Sequence, residues 1–140
     1  MRYWDSLPAT DIASTRGFLD AMIASGPPQS DDFIIECEGA VLGKAGCWRA
    51  PEIGLILHPD YWGAGLGSEA LAAAIAHVFE TLGPPSVTAD VDPRNAAMLR
   101  VLAKLGFEET GRAARTVQLG DEWCDSIYLA LDRAKTRRPI

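Results

Sequence analysis

Three features of this 140-residue chain predict a single α+β domain built on one mixed sheet. Two β-rich runs, residues 32–38 and 41–48, meet at Glu38-Gly39, and a third run follows Pro51 at residues 52–57, with linkers short enough to favour antiparallel neighbours. A glycine-rich loop then leads into a helix and on to a fourth strand, the strand-helix-strand unit that makes a right-handed parallel crossover. The chain closes on a long antiparallel hairpin, so the sheet is mixed, with helices on both faces.

The elements can be justified in order. Thr10 can cap a helix whose apolar residues Ile12, Leu19, Met22 and Ile23 recur at helical spacing until Gly26, Pro27 and Pro28 stop it. In the first two strands, Phe33, Ile34 and Ile35 lead through the Glu38-Gly39 turn into residues 41–48. Ser68 and Glu69 open the next helix, on which Leu71, Ile75, Val78, Phe79 and Leu82 fall within one narrow arc, with Glu69, His77 and Glu80 on the far, solvated side. Gly83-Pro84-Pro85 ends it, and residues 86–91 form a strand. Asp92 and Pro93 read as a cap with proline at the first helical position, opening a helix that buries Met98, Val101, Leu102 and Leu105 before Gly106 stops it. Phe107 restarts a strand, and residues 108–119 and 123–131 pair around Gly120-Asp121. Residues 1–134 are read as one domain, and residues 135–140 as a frayed basic tail.

Composition narrows the function classes. With 48% hydrophobic residues the chain can bury a sizeable core, yet it is short for two domains. No run of 18 apolar residues and no secretory signal pattern is present, which predicts a cytoplasmic protein away from membranes. Cys37, Cys47 and Cys124 are odd in number and form no Cys-x-x-Cys pair, so they read as small hydrophobes rather than a disulfide framework. His58 and His77 do not cluster with cysteine, and no metal site is predicted. A net charge of −6 without a basic stripe argues against nucleic acid and suits a cationic substrate.

The chemistry concentrates at residues 62–67, Trp-Gly-Ala-Gly-Leu-Gly. Alternate glycines let the backbone turn tightly and bring its N–H groups near a ligand, and the following helix N-terminus carries roughly half a positive charge. That is a phosphate cradle. A Walker loop is excluded because Gly67-Ser68 has no lysine between its members. A dinucleotide fingerprint fits poorly: the third glycine comes one position early, residues 58–62 separate strand from glycines, and an upstream antiparallel hairpin is foreign to a doubly wound fold, although Asp90 could mimic the ribose-binding acid.

A third template is met in order over residues 32–132. Residues 52–70, Glu-Ile-Gly-Leu-Ile-Leu-His-Pro-Asp-Tyr-Trp-Gly-Ala-Gly-Leu-Gly-Ser-Glu-Ala, resemble the acetyl-coenzyme A motif of the GNAT superfamily of N-acetyltransferases, in its ribosomal-protein-type (RimJ/RimL-like) branch. Asn95, followed by Leu105-Gly106-Phe107, resembles that family's second motif, and residues 123–131 its final strand. The resemblance implies acetyl-coenzyme A as co-substrate and a primary amine, of a small molecule or a protein N-terminus, as acceptor. It also implies that the backbone of Leu55, Ile56 and Leu57 pairs with the pantetheine arm as an added strand, that Trp62, Gly63, Ala64, Gly65, Leu66, Gly67 and Ser68 hold the pyrophosphate, and that Asn95 bonds the cofactor near its pantetheine end. On the residues alone, ordinary sheet pairing for the three strand positions and a local helix cap for Asn95 stay open.

An acceptor ammonium with a pKa near ~10 must lose a proton before it attacks, at a cost of about 4 kcal/mol at neutral pH. Glu52, at the start of the strand beside the expected thioester, is the candidate base, with Asp90, Asp92 and Asp125 in reserve; an exposed strand-start carboxylate without a catalytic role is the alternative. The chain departs from its relatives at the acid that protonates the leaving sulfur: seven residues after Asn95 stands Leu102, and three after it Met98, neither of which can donate a proton. Tyr128 and Tyr61 are substitutes, as is water, and a coenzyme A-binding module without useful catalysis is the competing reading. The chain also begins without the strand and helix that relatives carry before the segment aligning with Tyr3-Trp4. The strand at residues 32–38 is therefore expected to be an exposed edge, covered by a second copy in a homodimer or blunted by Asp31, Glu36 and Glu38.

Overall fold

The computed structural model describes residues 11–136. One six-stranded sheet organises them, in the order β1-β2-β3-β4-β6-β5. The strands are β1 Asp31–Cys37, β2 Ala40–Arg49, β3 Glu52–Leu57, β4 Ser86–Val91, β5 Glu108–Leu119 and β6 Glu122–Asp132; the helices are α1 Ile12–Ala24, α2 Leu66–Thr81 and α3 Ala96–Leu105. All neighbouring strands are antiparallel except β3 and β4, the pair joined through α2. The mixed sheet with its parallel crossover is the predicted one.

The core lies on one face of the sheet. Leu71, Ala74, Ile75, Val78 and Phe79 of α2 and Leu102 of α3 pack against Ala45, Cys47, Ile53, Val87, Ala89, Val91, Ile127, Leu129 and Leu131. This follows from period: the apolar arc of α2 meets every second residue of the strands. Helix α1 lies over the opposite face, where the Lys44 ammonium stands 6.0 Å from the Phe18 ring centroid and pairs with Asp32. Asp31 and Phe33, one residue out of phase with Asp32, instead meet His77 of α2. His77 is thus half exposed, yet not merely solvated as its helical position predicts.

Several local expectations are corrected. Thr10 lies outside the described residues; Asp11 caps α1, its carboxylate accepting the Ser14 N–H at 2.7 Å, which holds that carboxyl below its ordinary pKa. No residue of α1 is buried, although Ile12, Leu19 and Ile23 have helical spacing, because the face beneath α1 carries the Lys44–Asp32 pair rather than an apolar surface. Helix α2 starts at Leu66, two residues before Ser68, since the left-handed Gly65 already turns the chain into the helix and its carbonyl accepts the Glu69 N–H. Asp92 and Pro93 do not open α3. The Asp92 carboxylate is committed to Arg94, and the cap passes to Asn95, whose Oδ1 accepts the Met98 N–H at 3.1 Å. Cys47 and Cys124 are buried as small hydrophobes, whereas Cys37, at the edge, is exposed. Lys135, expected in a frayed tail, sits in the 3-10 turn Arg133–Thr136 and pairs with Glu108.

Candidate active site

A slot between β3 and β4 is the structural centre of the site. The two parallel strands share only the register pair Glu52↔Thr88, with the Thr88 N–H bonded to the Pro51 carbonyl at 3.0 Å. Beyond that point β4 continues to pair with β6 on its other side, from Ala89↔Leu129 to Val91↔Ile127, while β3 continues along β2. The strands therefore part towards their C-terminal ends.

Successive peptide groups of a strand point to opposite sides, which decides what lines the slot. The Pro51 carbonyl faces β4, so the peptide groups of Ile53, Leu55 and Leu57 face that way too. The Ile56 carbonyl faces β2 instead, so close to Gly43 that an added Cβ there would collide with it. Of the three predicted strand positions, Leu55 and Leu57 present main-chain groups to the slot and Ile56 does not. The Leu57 carbonyl already accepts the Trp62 indole N–H at 2.7 Å, a bond that folds the loop back over the strand end.

The loop then delivers the helix. Gly63 (φ +82°) and Gly65 (φ +79°) both occupy the left-handed region, and a Cβ at either would meet no atom within 4 Å. Neither glycine is there for packing; the backbone turn demands them, and the space above is open. No side chain caps α2, so its first N–H groups point to that open side with the positive end of a 16-residue helix dipole behind them. Ala64 is exposed and Leu66 and Ser68 are half-buried around this end, and Trp62 stays 60% exposed beside it. Gly67 is different: a Cβ there would lie 3.1 Å from Leu55 Cδ2, so its bareness seats α2 on β3.

The two sheet faces carry different chemistry at the closed end of the slot. The core face is apolar, and Leu102, fully buried, and Met98, half-buried, belong to that core. On the outer face, cross-strand partners place Glu52 beside Thr88, and Asp90 beside Tyr128. Asp90 and Tyr128 are exposed while their chain neighbours Ala89, Val91, Ile127 and Leu129 are buried, which sets their direction outward. Asn95, half-buried, spends its amide oxygen on the α3 cap and keeps its amide N–H groups. Among the reserve carboxylates, Asp92 is withdrawn: hydrogen bonds from Arg94 hold its carboxyl below the ordinary range. Asp125 accepts the Arg115 N–H, far along the β5–β6 hairpin. Tyr61 lies in the 3-10 turn Pro59–Tyr61, past the end of β3 and edge-on to His58, away from the closed end. Trp62 and Trp123 are both exposed, and Trp123 faces the Arg115 guanidinium at 5.2 Å.

A strand-edge slot running into an uncapped, glycine-led helix is the arrangement the family motif implies, and the family model for the acetyltransferase (GNAT) domain matches residues 1–108. The chain belongs to the GNAT acetyltransferase family. Among its relatives, the uncharacterized N-acetyltransferase YnaD of Bacillus subtilis is 31% identical over 80 residues, 57% of this chain and 47% of that protein, so the chain matches about half the length of that relative. The L-methionine sulfoximine/L-methionine sulfone acetyltransferase of Pseudomonas paraeruginosa is 29% identical over 96% of this chain and 81% of its own length. Among solved GNAT folds, RimJ of Mycobacterium smegmatis in complex with CoA-disulfide superposes with a TM-score of 0.80 at 23% identity, over 94% of this chain and 71% of that one. That likeness is one of fold.

Proposed function

We propose that this chain is an N-acetyltransferase that moves the acetyl group of acetyl-coenzyme A to a primary amine, of a small molecule or a protein N-terminus, by direct attack of the amine on the thioester. The observation that carries this reading is the slot: main-chain groups of Leu55, and the Leu57 N–H beside a carbonyl already taken by Trp62, face away from β2 and lead to the open N-terminus of α2 behind Gly63 and Gly65. An extended amide-containing arm adds to such an edge as a strand, and a pyrophosphate suits the N–H groups and dipole at its end. In this reading Trp62, Ala64, Leu66, Gly67 and Ser68 complete that end, and Asn95, whose amide oxygen caps α3, bonds the arm through its amide N–H groups.

In this reading Glu52 accepts the proton of the incoming ammonium, directly or through water, at the closed end of the slot. The amine is bound where the outer face is open, and the acidic net charge of the chain favours a cation there. We also propose a cytoplasmic location, in a chain whose described residues include no helix long and apolar enough to cross a membrane. Pairing with a second copy at β1 belongs to the same proposal: β1 is one of the two sheet edges among the described residues, β5 being the other, and Ile34 and, beside it, Val41 are exposed there. A clean monomer in sedimentation overturns that pairing.

The competing reading, a coenzyme A-binding module, draws on the apolar Met98 and Leu102 at the positions where relatives place an acid. Calorimetry with coenzyme A and a thiol-release assay across an amine panel separate the two. Binding with turnover supports the transferase; binding with silence on every amine supports the module; no binding removes both.

A further inference from the structure

We propose that Tyr128 is the acid that protonates the leaving sulfur, replacing the group that Leu102 and Met98 cannot supply. This rests on the acetyl-transfer reading above. The register carries it. Counting along the parallel strands from Glu52↔Thr88, Asp90 stands level with Gly54, and Tyr128 is its direct partner on β6. That level is the closed end of the slot, where the thioester of an arm paired with Leu57 and then Leu55 arrives. Tyr128 is one strand spacing, about 4.8 Å at the backbone, from β4, whose other edge lines the slot, and it is on the face where Asp90 and Glu52 also point.

Other described donors are worse placed. Tyr61 sits beyond the opposite end of the slot. Cys47 is fully buried, and burial, followed by the nearby Asp32 and Asp31 charges, pushes its thiol up to about 11. Cys124 is buried behind Arg94 on the far hairpin. A phenol is also chemically suited, since its pKa near ~10 keeps the proton at neutral pH yet yields it to a developing thiolate.

The step balances as follows. The neutral amine nitrogen bonds to the acetyl carbon, the carbon–sulfur bond breaks with its electron pair going to sulfur, and the Tyr128 proton makes the free thiol. The phenolate then takes back, through water, the proton that the new amide nitrogen loses. The attacking side and the protonating side are therefore both the outer face, with the core face left apolar.

Tyr128→Phe is the test, read in two ways. In turnover with an accepted amine, kcat should fall at least about 100-fold while KM for acetyl-coenzyme A and the melting temperature stay within experimental spread of the parent. Independently of turnover, the affinity for coenzyme A should rise with pH through the thiol range near ~8.5 in the parent, because the phenol stabilises the bound thiolate. The rise should vanish both in Tyr128→Phe and when desulfo-coenzyme A replaces coenzyme A. A parent that turns over amines alongside a variant within threefold of it overturns the assignment of Tyr128 and leaves the transferase reading intact. If the panel is silent, the binding arm decides: equal pH dependence in parent and variant overturns the assignment. Failure of the parent to bind coenzyme A at all overturns both readings.

Discussion

Gly67 meets Leu55 closely: an added Cβ would sit 3.1 Å from Leu55 Cδ2, which would have to give by a few tenths of an ångström, and 3.8 Å from Leu57 Cδ2. The first turn of α2 thus rests on the strand whose far edge lines the slot. Gly67→Ala should be close to neutral in stability, because the gain in helix propensity of about 1 kcal/mol is opposed by the displacement of a flexible leucine tip. Gly67→Leu should cost about 1–3 kcal/mol by overpacking and tilt α2 off β3. Thermal melts of the two variants check this; equal melting temperatures would contradict the contact.

Gly65 poses the opposite problem, space without a permitted backbone. Its φ of +79° disfavours any side chain by about 1–2 kcal/mol, while no atom lies within 4 Å of a would-be Cβ. Gly65→Val should therefore lower stability by that amount and, by filling the open side of the α2 N-terminus, remove coenzyme A binding in calorimetry. Retained affinity would mean that the pyrophosphate lies elsewhere.

Lys44 and Asp32 form a buried ion pair, with side chains only 8% and 7% exposed, and Asp32 Oδ1 has no hydrogen-bond partner. Removing one charge strands the other. Lys44→Met should cost about 3–5 kcal/mol, and Lys44→Met combined with Asp32→Leu should recover most of that loss. Urea unfolding of both variants measures the difference; a double variant no better than the single would show that packing, not charge, holds this strand pair.

Cys47 links stability to alkaline pH. Its folded thiol is raised to about 11, first by burial and then by Asp32 and Asp31, whereas an unfolded thiol ionises near ~8.5. Below that lower value both states keep the proton and the group contributes nothing to pH dependence. Between the two values the unfolded chain loses its proton and the folded chain does not, so stability falls with rising pH, by at most about 1.4 kcal/mol per unit. Cys47→Ala should flatten this slope, and in the native parent a thiol reagent should modify exposed Cys37 well before Cys47.

Much of this was legible before any coordinates. The hairpin turn at Glu38-Gly39, the strand Glu52–Leu57, the crossover and the strand Ser86–Val91 all announce themselves, because turn residues and β-branched runs are local signals. The α3 cap misled for an equally physical reason: Asp92 is a good cap, but Arg94 captures its carboxylate and Asn95 takes over. Helix α1 misled because periodicity reports an apolar stripe and not what lies opposite it.

The sequence by itself determined the mixed sheet, the glycine-led helix, the likeness to the GNAT family and the absence of a proton donor at positions 98 and 102. Only the tertiary structure decided that β3 and β4 part after a single register pair, that Leu55 and Leu57 but not Ile56 face the opening, and that Tyr128 stands level with its closed end. Those facts depend on strand register and on the alternation of peptide groups across neighbours far apart in the chain. Composition and spacing carry no record of them.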